Sequence, residues 1–82
     1  MKLIKAEYCK LLRHSIDATC DDIAKECGVT KQTISNYERK YKTFNDEKLL
    51  SMRILYTYAL IKCAERSEEY EVFSELYSKY SE

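Results

Sequence analysis

The stretch that decides the fold runs from Thr19 to Arg39 and reads TCDDIAKECGVTKQTISNYER. Thr19 stands three residues before Asp22, which is the spacing of a capping box and predicts a short helix that ends near Cys27. Gly28 is the only glycine in the chain. It follows at the position where a left-handed backbone conformation is least costly without a Cβ. The stretch therefore predicts a tight turn at the end of a short helix.

A third helix is predicted directly after this turn. Thr30 provides a capping hydroxyl, and the helix would run from Lys31 to about Arg39 with Ile34 and Tyr37 on its buried side. Ala24 is small where the two helices would cross, so their backbones can approach closely. Two short helices packed across a single glycine turn are thus expected in the middle of the chain.

The remaining chain also reads as helical, because it has no proline and its apolar residues recur at helical spacing. A first helix is predicted from about Leu3 to Arg13. Asn45 would cap a long fourth helix that ends at about Glu65. Ser67 would cap a last helix, whose aromatic residues form a heptad-like seam: Tyr70, Phe73, Tyr77 and Tyr80. The predicted fold class is all-α, a compact five-helix domain.

Composition bounds the cellular context and the sources of stability. The 82 residues carry fourteen basic and fourteen acidic side chains, for a formal charge of zero, and form one domain. The four cysteines match no zinc pattern, so we expect neither a metal nor a cofactor. With no signal peptide or membrane span in the sequence, we expect a cytoplasmic protein with reduced thiols. Self-association then becomes the leading way to stabilise so small a core.

Catalysis has little support in the sequence. A nucleophilic mechanism needs a cysteine or serine oriented by a base, and the single histidine, His14, belongs to no catalytic signature. Cys20 lies at the start of a predicted helix, where its thiol pKa could be depressed and make it a redox handle. The simpler interpretation of the cysteines is that they are small apolar filling residues.

The central stretch resembles the helix-turn-helix of the Cro and phage-repressor family, the Xre-like DNA-binding proteins. Ala24, Gly28 and Ile34 match the family's small residue, turn glycine and branched apolar residue, and Tyr37-Glu38 also follows its pattern. The resemblance extends over about residues 5–60. It implies a helix-turn-helix DNA-binding domain over residues 1–66, which includes the long fourth helix. The aromatic seam adds the expectation that the C-terminal helix in residues 67–82 belongs to the same domain and forms a dimer interface.

The resemblance also implies which side chains contact double-stranded DNA. The third helix of such proteins enters the major groove, so the residues implied to face base edges are Thr30, Lys31, Gln32 and Asn36. Those implied to contact phosphates are Thr33, Ser35, Arg39, Lys40 and Lys42. The family commonly has a glutamine where this chain has Cys20, so one phosphate contact is missing, and Arg13 is a further basic candidate to supply it.

Charge partition agrees with this interpretation. Residues 1–42 have a balance of +3 and residues 43–82 a balance of −3. The neutral total argues against avid non-specific DNA binding, and two copies on one operator would provide the affinity. We therefore expect a transcriptional regulator, a repressor of the phage or mobile-element type, that forms a homodimer through its C-terminal helices, the fourth and the fifth.

Two alternatives stay open at this stage. The fold could serve a protein-interaction module instead, such as an antitoxin, an antirepressor or an inhibitor, because a fold does not fix a function. The aromatic seam of Tyr70, Phe73, Tyr77 and Tyr80 could pack inside one chain rather than between two.

Overall fold

The computed structural model describes residues 1–82 as five α-helices with short connections. They are α1 (Cys9–Ser15), α2 (Cys20–Cys27), α3 (Lys31–Lys40), α4 (Asp46–Glu65) and α5 (Tyr70–Tyr80). Turns of 3-10 helix at Ala6–Tyr8 and Tyr41–Thr43 precede α1 and α4. The predicted all-α class with five helices is confirmed.

The caps predicted for the three central helices are present. Thr19 accepts a hydrogen bond from the Asp22 amide at 3.1 Å, and the Asp22 carboxylate accepts one from the Thr19 amide at 2.8 Å, which completes the capping box. Thr30 caps α3 by accepting from the Thr33 amide at 3.2 Å. Asn45 caps α4 by accepting from the Lys48 amide at 2.8 Å. Each cap satisfies an amide that the helix itself leaves without a partner.

The core forms around one side of α4. Met52, Tyr56, Ala59 and Leu60 from this helix are buried against residues of the other four helices. The contributions of α2 and α3 include Ile23, Ala24, Ile34 and Tyr37. The predicted burial of Ile34 and Tyr37 is confirmed, and α3 is thereby held by its apolar side with its polar side outward.

The predicted first helix from Leu3 to Arg13 is wrong at its beginning. The residues around Ile4 are extended, and α1 begins only at Cys9. The Ile4 amide donates to the buried Thr57 hydroxyl at 3.0 Å, a contact between residues 53 positions apart that helical periodicity cannot reveal. Leu11, whose spacing of seven residues from Ile4 predicts a place on the same apolar stripe, is exposed.

The extended residues pair with the other end of the chain. An antiparallel bridge joins Ile4 to Ser81, with hydrogen bonds of 2.8 and 2.9 Å between the backbones of Leu3 and Glu82. Arg53 of α4 donates to the Leu3 and Ile4 carbonyl oxygens. Backbone bonds that would have extended the first helix are thus made with distant parts of the chain.

The C-terminal helix also differs from its prediction. Ser67 accepts a hydrogen bond from the Glu69 amide at 3.0 Å and forms a local turn, so α5 begins at Tyr70 without a side-chain cap. Within the aromatic seam, Phe73 is buried and Tyr80 stacks on Tyr8 with ring centroids 4.0 Å apart. The Tyr77 hydroxyl donates to the Lys2 carbonyl oxygen. Only Tyr70 is exposed, so the seam packs mainly inside the chain, which is the intrachain alternative.

None of the five helices combines the length and the apolar character needed to cross a membrane.

Candidate nucleic-acid interface

The turn between α2 and α3 fixes the angle at which α3 is presented. Gly28 adopts a left-handed conformation with φ of 72°, and the Val29 amide donates to the Ala24 carbonyl oxygen at 3.1 Å to close the end of α2. A residue with a Cβ would be strained in this conformation. Ala24 is buried at the crossing, so a small side chain is what lets the two helices pack closely.

The outward side of α3 carries a connected set of polar side chains. Gln32 and Arg39 are exposed, and Asn36 lies between them on the same side. The Asn36 Oδ1 atom accepts hydrogen bonds from Gln32 Nε2 at 3.0 Å and from Arg39 Nη2 at 3.5 Å. These bonds order side chains that would otherwise be free in solvent. The arrangement holds the Gln32 amide and the Asn36 amide side by side at successive turns of the helix.

The other residues implied to contact DNA surround this set. At the beginning of the helix, the Thr30 and Thr33 hydroxyls lie 2.9 Å apart, and Lys31 is exposed beside them. Ser35 in the middle of the helix is half-buried, whereas Lys40 at its end and Lys42 in the following turn are exposed. The structure therefore brings all nine residues to α3 and its immediate flanks.

The charge of this surface is uniformly positive. Between Thr30 and Lys42 the basic side chains are Lys31, Arg39, Lys40 and Lys42, and the single acidic one is Glu38. The Glu38 side chain is only 3% exposed and points into the protein. The exposed charges of this segment are therefore all positive, although the chain as a whole is neutral.

Glu38 is instead the centre of a buried polar cluster that joins three helices. It accepts two hydrogen bonds from Arg13 of α1, from Nε at 2.7 Å and from Nη2 at 2.9 Å, and one from the Tyr56 hydroxyl of α4 at 2.5 Å. Arg13 also donates to the Ala18 carbonyl oxygen at 2.9 Å. The two parallel hydrogen bonds between Arg13 and Glu38 fix the orientation of the two side chains as well as the distance between them. The cluster therefore holds α3 in position against α1 and α4.

The ionisation of this cluster follows from its partners. Burial disfavours the charged form of Glu38, but the hydrogen bonds from Arg13 and Tyr56 outweigh this effect and leave the pKa of Glu38 below its ordinary value. Burial and the neighbouring Glu38 carboxylate raise the pKa of Tyr56. Glu38 is therefore ionised and Tyr56 neutral at physiological pH.

Two expectations about this region are corrected. Arg13 is buried in its pair with Glu38, so it is not free to contact a phosphate. Cys20 is half-buried with its Sγ atom 3.9 Å from Glu38 Oε1. Burial, followed by the charge of Glu38, raises the pKa of Cys20, which is opposite to the depressed pKa that we had considered from its position at a helix start.

The sequence contains a signal for this cluster in the spacing of its charged residues. Glu38 stands four residues after the buried Ile34, and Arg13 stands four residues after the buried Cys9. Positions four apart share a helix face, so both charged residues could have been placed on buried stripes. Two opposite charges on buried stripes of different helices predict an internal ion pair.

Comparison with known proteins agrees with this geometry. A family model described as helix-turn-helix matches residues 10–55, more than half of the chain. Searches of curated proteins and of solved structures gave no significant match. The matched range contains α2, α3, all of α1 except Cys9, and the first half of α4. Arg13 and Glu38 of the buried cluster lie inside this range, and Tyr56 lies one residue beyond it.

The fold and its exposed third helix thus define a helix-turn-helix DNA-binding protein. The chain belongs to the Cro/C1-type, Xre-like helix-turn-helix family and is a DNA-binding transcription regulator of that type.

Proposed function

We propose that the protein is a repressor of the phage or mobile-element type, which binds as a homodimer to an inverted-repeat operator in double-stranded DNA. The observation that carries the proposal is the outward side of α3, where the amides of Gln32 and Asn36 stand together and the segment's one carboxylate, Glu38, is turned inward. This surface suits the major groove, which is wide enough for one α-helix.

Base recognition is assigned to the first two turns of α3. Gln32 and Asn36 each offer a donor and an acceptor, the combination that pairs with the N6 and N7 atoms of adenine. The Lys31 ammonium can donate to the O6 or N7 atom of guanine, and the Thr30 hydroxyl can form a hydrogen bond with adenine or guanine. Because Asn36 already accepts from Gln32, the two amides are partly oriented before DNA arrives.

Phosphate contacts are assigned to residues around this reading surface. Arg39, Lys40 and Lys42 provide charge, while Thr33 and Ser35 provide hydroxyl groups. Such contacts fix the register of the protein on the duplex and make its affinity depend on salt.

Symmetry follows from the homodimer. Two copies related by a twofold axis would place their α3 helices about 34 Å apart, which corresponds to half-sites one helical turn apart. Repression needs no further machinery, because a bound dimer on a promoter excludes other proteins from the same duplex.

Selection of bound duplexes from a random pool is the first test, since it reports both sequence preference and site symmetry. Recovery of an inverted repeat with half-site centres about 10 base pairs apart would support the proposal. Recovery of no preferred sequence would contradict it.

Substitution of Gln32 tests the base contact. Gln32→Ala is expected to weaken binding to the selected operator by about 1 to 3 kcal/mol and to relax one base position in each half-site, because the lost amide is the specific reader. Fluorescence anisotropy on single-base operator variants measures both effects. Ser78→Ala, at an exposed position of α5, serves as the control and should leave affinity unchanged.

Salt titration separates phosphate from base contacts in the same assay. Arg39→Ala should weaken binding to every sequence and flatten the salt dependence by about one unit, whereas Lys79→Ala on α5 should not. If neither Gln32→Ala nor Arg39→Ala alters binding to any duplex, the assignment of α3 to the groove is wrong.

The second candidate function is a protein-interaction module, such as an antitoxin, an antirepressor or an inhibitor. The formal net charge of zero favours it, because DNA-binding domains are often strongly basic. Such a module would bind random and selected duplexes with the same weak affinity, without preference for any sequence.

A further inference from the structure

The side of α4 that faces away from the core carries an apolar stripe with nothing packed on it. Leu50, Ile54 and Tyr58 are 51%, 46% and 49% exposed. They are four residues apart, so they share one face and extend along about 12 Å of the helix. We refer to these three residues as the α4 stripe.

The sequence of α4 indicates that this side is covered in the functional protein. Its apolar residues point in all directions around the axis, and a helix that is apolar all round is normally buried all round. Within one chain, only the side with Met52, Tyr56 and Leu60 is buried. The other side retains a row of large apolar groups, which on a soluble surface marks an interaction site.

The charged residues at the two ends of the stripe identify its occupant. Glu47 lies in the first turn of α4, and Lys62 and Glu65 lie in its last turn; all three are exposed, and their spacing from the stripe places them on or beside the same side of the helix. None of the three takes part in an ion pair within the chain. The Lys62 ammonium lies 5.4 Å from the centre of the Tyr58 ring, at the end of the stripe.

This charge order is self-complementary about one point. The midpoint between Glu47 and Lys62 falls at residues 54–55, beside Ile54, which is also the middle of the stripe. A twofold axis through that point would run two copies of α4 antiparallel and bring Glu47 to the partner's Lys62 twice. A parallel arrangement would place like charges together.

We propose that the α4 stripe is the twofold interface with a second copy of this chain, with Ile54 at the axis and Glu47–Lys62 pairs at both ends. The proposal rests on the proposed function for the need for a dimer, and it replaces the aromatic seam of α5, whose residue Phe73 is buried within one protomer.

Sedimentation equilibrium without DNA tests the apolar contact. Ile54→Glu places a charge on the axis against its own copy and should raise the dimer dissociation constant at least a hundredfold. Leu11→Glu is the matched control, because Leu11 is also 46% exposed but lies on α1, and it should leave the dissociation constant unchanged. Thermal unfolding curves, monitored by circular dichroism, verify that both variants remain folded.

A charge exchange tests the orientation. Glu47→Lys and Lys62→Glu should each raise the dissociation constant about tenfold, since each leaves two like-charged pairs in the dimer. The double variant Glu47→Lys/Lys62→Glu should return to within about twofold of the wild type. Failure of the double variant to recover would refute the antiparallel interface.

Other outcomes also decide the matter. A wild-type chain that stays monomeric up to about 1 mM, or a dimer that Ile54→Glu does not weaken, would overturn the proposal. A wild-type dimer that Ile54→Glu dissociates as expected, but that binds no duplex, would refute the proposed function and support the α4 interface. A wild-type chain that stays monomeric up to that concentration and binds an isolated half-site would support DNA binding and refute the interface.

Discussion

Glu38 stabilises α3, the helix that is proposed to enter the major groove, from the inner side of that helix. Its carboxylate lies on the inner side of α3 and is held by Arg13 and Tyr56. The same placement removes the only negative charge from the segment that is proposed to contact phosphates. The inward position of this one side chain therefore stabilises α3 and also keeps a negative charge away from the outer surface of the segment.

Removal of this charge should be costly for stability. Glu38→Gln leaves the buried Arg13 without its counter-ion, and breaking one side of a buried pair costs about 3 to 5 kcal/mol of unfolding free energy. Urea denaturation at neutral pH measures the change. Glu68→Gln, at an exposed position, should change the same quantity by less than about 0.5 kcal/mol. Equal effects of the two substitutions would show that the pair does not support the fold.

Acidification should remove the contribution of Glu38 progressively. The pKa of Glu38 is lowered in the folded protein, so its carboxylate stabilises the fold above the unfolded-state pKa of about 4.3, and this stabilisation is lost as the pH falls through the lower folded value. The difference in unfolding free energy between wild type and Glu38→Gln should therefore shrink below about pH 4. Parallel urea titrations across this range measure it, and a difference independent of pH would contradict the assigned shift.

At the scale of elements, capping decides where the short helices begin. The helices α2 and α3 have eight and ten residues, which is too short for stability in isolation. Thr19 and Thr30 provide the hydroxyl oxygens that satisfy the first free amides. Because these contacts span only three residues, the sequence was sufficient to predict them.

Loss of the α2 cap has a predictable effect. Thr19→Ala removes the oxygen that accepts from the Asp22 amide and should lower the unfolding free energy by about 1 kcal/mol. Thr19→Ser retains the hydroxyl and should recover most of the loss. Differential scanning calorimetry of the two variants makes the comparison, and a serine variant as unstable as the alanine variant would show that the hydroxyl is not the stabilising group.

Helix boundaries were predictable only where the signals were local. For α4, the predicted Asn45 cap and the predicted end at about Glu65 are both confirmed by the structure. The first helix was placed too early because Ile4 fits its periodicity yet forms a hydrogen bond with Thr57. Hydrophobic periodicity shows which residues share an apolar face. It does not show that a backbone amide will donate to a residue far away in the sequence.

For the whole molecule, α5 closes the core rather than standing apart from it. Phe73 is 2% exposed, and Tyr77 stacks on it with ring centroids 5.8 Å apart. Tyr80 packs on Tyr8, and the chain beyond it pairs with residues near Ile4. The C-terminal helix is therefore part of the hydrophobic core of the single chain.

Truncation of the core aromatic should destabilise the monomer. Phe73→Ala should reduce the unfolding free energy by about 3 to 5 kcal/mol, because it opens a cavity in a packed site. Tyr70→Ala, on the same helix but exposed, should cost less than about 1 kcal/mol. Denaturant titration at low protein concentration, where any dimer is dissociated, provides the measurement. A small effect of Phe73→Ala there would mean that the seam belongs to an interface between chains.

The helix-turn-helix of this protein could be predicted from local sequence alone: its caps, the Gly28 turn, the buried Ile34 and Tyr37, and the polar outer side of α3. These features depend on contacts within one turn of helix or on periodicity, which adjacent residues encode directly. Only the tertiary structure decided that Arg13 and Glu38 form an internal pair, that the aromatic seam packs within the chain, and that the α4 stripe is left uncovered. Each of these depends on which surfaces meet across long sequence separations, and that is settled by competition for burial in the whole molecule rather than by any local pattern.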